Sequence, residues 1–425
     1  MCECSRDHAL ADLDGTGGTS SADSAGRGGT SVADQATGAS RRSVLAWAGI
    51  GGLSALAAGG LGMGGLLSPA AAAPAASSTK VSSRTRAILV GTAGGPIWRQ
   101  AAGLRGISTV VEVAGARYLV DAGHGSAAGL WGAGAVGPVD GRNDLSAYRA
   151  GFITHLHSDH VTDLSTFLVQ GFIGGGLGTA TPFQIHGPGE RGQLPHPFPP
   201  SRPVSGPFHP ASPTPGTVET VQHLLAAFAT DINDRIYDAG SPLIDQVVSA
   251  HDIALPAGVT PAYDGTAPAM TPFTVYEDER VRVSAVLVAH GQMVPAYAFR
   301  FDSDDGAIVI SGDTTLTPNL LTLADGADLL LHEIIDYDSV NASIEALSVS
   351  DAQKEAFRNH MFGAHTTEAQ LKQLVREIDV KTLALHHVVP GSLGPQAWQK
   401  IAQRIGKQTR TTVVAGTDNQ VIGLR

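Results

Sequence analysis

The stretch Thr154-His155-Leu156-His157-Ser158-Asp159-His160 sets three imidazoles and a carboxylate within six residues, directly after the apolar run Gly151-Phe152-Ile153. In an extended chain, residues two apart point to the same side. His155 and His157 therefore face one metal ion together, while Asp159 and His160, past the strand end, reach a second. Imidazole and carboxylate donors without thiolate suit Zn²⁺, and less specifically Mn²⁺ or Fe²⁺. The alternative is a polar surface loop, which a match this dense makes the poorer reading.

Working outward, the regular chain begins near Arg86. Ala87-Ile88-Leu89-Val90 reads as a strand ending in Gly91-Thr92-Ala93-Gly94-Gly95, and residues 108–113 and 117–120 read as a hairpin around Ala114-Gly115. No G-K-[ST] follows the glycines, so a tight turn between strands is a better reading than a phosphate cradle. Residues 151–154 form the strand that delivers the metal loop, and residues 161–170 have helical spacing behind it. Later strands each run into polar residues: 281–289 into His290, 307–312 into Asp313, 329–331 into His332-Glu333, and 383–385 into His386-His387. Sites are commonly built where strands of one rigid scaffold terminate. Residues 187–216 hold ten prolines and read as a long irregular loop; 217–230 and 241–249 read as helices. The span 188–270 is expected as an insertion, either a lid over the metal site or a surface excursion.

Taken in order, Gly91-Thr92-Ala93-Gly94-Gly95, Asp121-Ala122-Gly123, the 154–160 stretch, Val288-Ala289-His290, Ser311-Gly312-Asp313-Thr314, His332-Glu333, His365-Thr366-Thr367 and Leu385-His386-His387 resemble the metallo-β-lactamase superfamily. Within it they look like the ribonuclease Z and arylsulfatase-like branch. The resemblance spans about residues 86–425 and implies an α/β (α+β) fold, a four-layer αββα sandwich with the site at one edge of the two sheets. It assigns His155, His157 and His290 to a first metal, and Asp159, His160 and His387 to a second, with Asp313 bridging. His386 is the rival of His387. Asp121 would orient the ligand loop. His365 matches the family's catalytic histidine, with Glu333 as its orienting partner. Two divalent ions, Zn²⁺ before Mn²⁺ or Fe²⁺, are the implied cofactors. Asp159 would accept the proton of the attacking water, and His365 would protonate the leaving oxygen.

The N-terminal part reads differently. Residues 1–39 are a Gly-, Ser- and Ala-rich leader with few large apolar side chains, expected to be disordered. Residues 40–76 carry Arg41-Arg42, an apolar Gly-rich run from 46 to 67 and a small-residue stretch from 70 to 76, the layout of a twin-arginine-type export signal. An uncleaved membrane anchor is the alternative. Residues 77–425 form the hydrolase domain. Both cysteines, Cys2 and Cys4, precede the signal, so residues 77–425 contain neither a thiolate ligand nor a disulfide.

Function is expected as follows. The net charge of −11 leaves no overall basic footprint for a phosphate backbone. The basic arm that the tRNA-processing branch carries between the positions of His290 and Asp313 is missing, since only residues 291–312 intervene. The leading expectation is thus an exported (periplasmic, cell-surface or extracellular) hydrolase of small phosphate or sulfate esters, with no nucleic-acid partner and membrane contact only through an uncleaved signal; a homodimer is allowed for. Alternatives are a lactonase, a ribonuclease Z-like endoribonuclease, and a non-catalytic metal-binding surface protein.

Overall fold

In the strand Thr85–Gly91 (β1), Ala87 and Leu89 join one apolar cluster and Ile88 and Val90 another. A strand buried on both faces needs a layer on either side. The computed structural model, which describes residues 83–96, 103–139, 142–179, 181–197 and 203–424, supplies those layers. The expected leader and export signal lie outside the described residues.

The first half of the chain continues as β2 (Ser108–Val113), β3 (Ala116–Val120), α1 (Ser126–Gly132), a short ribbon of β4 (Gly137–Val139) and β5 (Arg142–Asp144), β6 (Tyr148–Phe152), α2 (Ser158–Val161), α3 (Leu164–Gly174), β7 (Phe183–Gly187), α4 (Thr217–Ala226), α5 (Ala229–Tyr237) and β8 (Val248–Asp252). The β2–β3 hairpin turns on Ala114 and Gly115, both at positive φ (48° and 86°), as a two-residue turn between right-twisted strands requires. The second half runs β9 (Phe273–Glu277), β10 (Arg282–Leu287), β11 (Tyr297–Ser303), β12 (Gly306–Ile310), α6 (Pro318–Ala324), β13 (Leu329–Ile335), α7 (Tyr337–Glu345), α8 (Asp351–Phe362), α9 (Glu368–Glu377), β14 (Thr382–Val389), α10 (Pro395–Gly406), β15 (Thr412–Ala415) and β16 (Gln420–Gly423).

Two seven-stranded sheets result, ordered β16-β1-β2-β3-β6-β7-β8 and β15-β14-β13-β12-β11-β10-β9. The last strand crosses back to pair antiparallel with β1, tying the chain's end to its first sheet. Leu89, Phe152, Phe299, Phe301 and Leu331 pack between the sheets. On the outer faces, Leu164 and Leu168 of α3 cover the first sheet, and Leu371 of α9 and Trp398 of α10 cover the second. This is the αββα sandwich expected from the resemblance.

Phe152, the last residue of β6, is fully buried with ring centroids 5.5 and 5.3 Å from Phe299 and Phe301. The metal loop therefore leaves the sheet from a point gripped by both sheets. Truncating such a side chain typically costs about 3–5 kcal/mol.

Several elements differ from expectation. Residues 241–249 form only a 3₁₀ turn, Ile244–Gln246, before β8, which pairs parallel with β7. Pairing with a sheet edge outweighs weak helical spacing in so short a stretch. The expected insertion 188–270 is consequently not one body: α4 packs on β8, and β8 completes the first sheet. Residues 217–230 break at Phe228, giving α4 and α5. His332-Glu333 and His386-His387 lie within β13 and β14 rather than at their ends, because apolar Ile334-Ile335 and Val388-Val389 carry both strands on.

Candidate metal centre

Beyond Phe152 the chain is held by Asp121, which follows β3. Its carboxylate accepts from the Thr154 amide (2.8 Å) and the Thr154 hydroxyl (2.8 Å), and faces His160 Nδ1 at 2.8 Å. A carboxylate only accepts, so Nδ1 of His160 carries a proton, and Nε2 is the ring nitrogen left to face the cluster. His157 stands at the N-cap position of α2, and Asp159 and His160 fall in its first turn. That turn carries the second pair away from the first.

Three ring nitrogens converge in a first group: His155 Nε2 lies 3.0 Å from His157 Nδ1, which lies 3.1 Å from His290 Nε2. His290 Nδ1 donates to the Ala364 carbonyl at 2.8 Å, again freeing Nε2. In a second group, Asp159 Oδ2 lies 3.3 Å from His387 Nε2 and 3.6 Å from His160 Nε2. Asp313 Oδ2 stands between the groups, 3.2 Å from His387, 3.5 Å from His160, 3.7 Å from His290 and 3.9 Å from His155. One carboxylate oxygen is thus within reach of both groups.

These residues fit divalent cations on their own chemistry. His160 Nε2 and Asp313 Oδ1 are buried without any hydrogen-bond partner, a condition that costs about 1–3 kcal/mol per group unless something satisfies it. Burial, reinforced by neighbouring imidazoles, holds His155 and His290 well below the ordinary imidazole value, leaving both neutral. Burial likewise lowers His157 to about 4. At His160 burial opposes charge, but Asp313, Asp121 and Asp159 outweigh it and raise the group well above the ordinary value. Positive charge is therefore wanted at the bridging carboxylate.

His387 reaches the centre through a bulge. His332 pairs with Leu385 and Ile334 with Val388, so His386 and His387 together oppose Glu333 alone, with His387 at φ 45°. His386 turns away, its Nε2 3.1 Å from Thr109 Oγ1. The glycine loop after β1 makes room: a Cβ at Gly94 would lie 2.4 Å from the His387 ring, and the Gly95 amide donates to Asp159 Oδ2 at 2.9 Å.

His365 Nδ1 lies 3.3 Å from Glu333 Oε2 and 3.9 Å from Asp313 Oδ2. Burial opposes its charge, but Glu333 and then Asp313 push it up to about 9. Glu333 is itself held, its Oε1 accepting from the Thr366 amide at 2.7 Å and the Thr314 amide at 3.3 Å. His365 also lies close enough to His290 and Asp313 to share a cation with them. All nine sequence-derived site residues meet here. His332 does not: its Nδ1 turns to the Glu333 carbonyl at 2.7 Å. Sequence reasoning missed Thr154, the Ala364 carbonyl and the Thr366 amide, which orient ligands through contacts that no spacing encodes.

No protein-family model matches this sequence. The chain is 30% identical over 285 residues to a ribonuclease Z of Mycolicibacterium gilvum, covering 67% of this chain and 78% of the relative. It is 27% identical over 299 residues to a ribonuclease Z of Mycobacterium marinum, covering 70% and 85%. Among solved structures, it resembles Zn²⁺-bound PqqB from Methylobacterium extorquens at TM-score 0.49 and 14% identity, covering 80% of this chain and all of that one. It also resembles the short form of human tRNase Z at TM-score 0.45 and 17% identity, covering 80% and 99%.

Proposed function

This chain belongs to the ribonuclease Z family, and on that premise we propose that it is a metal-dependent hydrolase cutting phosphodiester bonds in RNA. The expectation of a small phosphate or sulfate ester, with no nucleic acid among the partners, is corrected by the relatives, which are named for a ribonuclease. The acidic balance behind that expectation sums charge over the whole chain, whereas a scissile phosphate meets one cluster. Cations bound at such a cluster are the largest local charges and enter no count of side chains.

The observation that carries the reading is the placement of Asp313 Oδ2 between two ligand groups, on a chain with this kinship. We assign His155, His157 and His290 to one divalent ion and Asp159, His160 and His387 to another, Zn²⁺ being the best match to the donors. Bound there, such ions supply Lewis acidity and activate water near neutral pH. Asp159, anchored by the Gly95 amide, takes the proton of the attacking water. His365, held by Glu333, delivers a proton to the departing oxygen.

The test is cleavage of a labelled precursor tRNA with a 3′ trailer by the full chain loaded with Zn²⁺ or Mn²⁺. A discrete endonucleolytic cut, absent from Asp313→Ala, is expected. Intact RNA alongside turnover of an aryl phosphodiester would overturn the reading. Export is a separate proposal, resting on Arg41-Arg42 and the apolar run behind them. Changing both arginines to Lys should strand the precursor in the cytoplasm, and unchanged export of that variant would rule out the twin-arginine route.

A further inference from the structure

A cavity of about 280 Å³ lies where the Pro-rich segment after β7 meets the two loops that carry the first ligand group. One wall is Leu156, which sits between His155 and His157 in the chain. Another is Met293, whose amide donates to the His290 carbonyl at 3.0 Å. The facing wall comes from Pro195, Pro213 and Pro215. The segment is pinned there: the His196 amide donates to Gln292 Oε1 at 2.7 Å, and Gln292 Nε2 donates back to the His196 carbonyl at 3.3 Å.

Arg191 is the one charged residue among the described residues lining this cavity. It is half-buried, its Nε is shielded from water without a hydrogen-bond partner, and its backbone is fixed by the Tyr263 hydroxyl and by the Thr214 carbonyl at 3.4 Å. A bare phosphate would not call for apolar walls, and an aliphatic ligand would not call for a guanidinium. A nucleobase satisfies both, since unstacked bases in RNA are commonly taken up between apolar surfaces and guanidinium planes. The volume falls just under the range of pockets that hold a drug-sized ligand, roughly 300–1,000 Å³, and suits one base.

Resting on the ribonuclease reading, we propose that this cavity receives the base of a nucleotide next to the scissile phosphate, with Arg191 contacting that base. The Pro-rich segment would then select where on an RNA the cluster cuts.

The experiment uses the full metal-loaded chain and a set of RNA substrates, each with one abasic nucleotide flanking the cut. One abasic position is expected to lower kcat/KM by about tenfold, the lower part of the range for base stacking. Arg191→Ala and Thr220→Trp, the latter filling the cavity from α4, should each cause a similar loss on intact RNA and little further loss on the abasic substrate. If the wild type cuts RNA but the losses multiply, or no abasic position matters, the cavity does not hold a base and the ribonuclease reading stands. If the wild type cuts no RNA, that reading fails, and titration with nucleoside 5′-monophosphates decides the cavity. Saturable binding weakened by both variants at unchanged metal content supports it; no saturable binding overturns it.

Discussion

The loop 154–160 and the described parts of the Pro-rich segment 188–216 line one cavity, yet they carry information in opposite ways. In the first, the ligand-type side chains are contiguous, and their spacing alone says that two groups of donors exist. In the second, ten prolines exclude regular structure and say nothing of what the backbone encloses. The cavity between the two regions is built from residues far apart in sequence, Leu156, Arg191 and Met293 among them. Chemistry that resides in a local donor set survives translation from a string of letters; shape that resides in the meeting of distant segments does not.

The largest expected effect breaks the first region. Asp313→Ala removes the oxygen common to both groups and should cost activity at least about 10³-fold, several kcal/mol of charge stabilisation, with metal lost in elemental analysis. Full activity with retained metal would dissolve the assignment of a shared ligand.

His365→Ala should lower kcat by roughly 10²–10⁴ while metal content holds. The loss should shrink on substrates whose leaving oxygen needs no proton. Metal loss on a par with Asp313→Ala would make His365 a ligand instead, which its closeness to His290 and Asp313 allows.

The second region is broken by putting a short Gly-Ser linker in place of residues 193–212. Metal stoichiometry should stay unchanged, while KM for RNA rises about tenfold if base contacts worth ~1.4 kcal/mol are lost. Equal damage to metal binding would mean that the two regions are one structural unit.

The last prediction leaves activity aside and probes the stability at the root of the Pro-rich segment. Burial, helped by His251, lowers His186 at the end of β7 to about 4, against about 6.5 in the unfolded chain. Between these values the unfolded state binds a proton that the folded state refuses. Stability is therefore full above about pH 6.5 and declines as the pH falls towards 4, by about 3 kcal/mol from this group. His186→Phe should remove that part of the decline in urea titrations run with chelator at pH 7 and 4.5. An unchanged decline would place the acid sensitivity elsewhere.

Most of the sandwich was legible because β-strands buried on both faces leave continuous apolar runs, as in 87–90, 307–310 and 329–331. β8 was not, because Val248–Asp252 is an edge strand with polar Ser249, His251 and Asp252, and only pairing with β7 makes it a strand. The reach of β13 and β14 through their histidines was hidden for a related reason: a polar pair within an apolar strand looks like an end until its neighbours are seen.

By itself, the sequence determined the local donor cluster of 154–160 and the apolar strands, which rest on residue type and short-range spacing, and its resemblance to a known superfamily pointed to the layered architecture and to the places of Asp313, His365 and Glu333. Only the tertiary structure shows how His387, rather than its rival His386, comes to face the cluster, through a bulge against Glu333 cleared by Gly94. It alone put distances on the position of Asp313 between both groups and closed a cavity around Arg191. Such outcomes depend on distances between segments that are separate in the sequence, and those distances exist only once the sheets have packed.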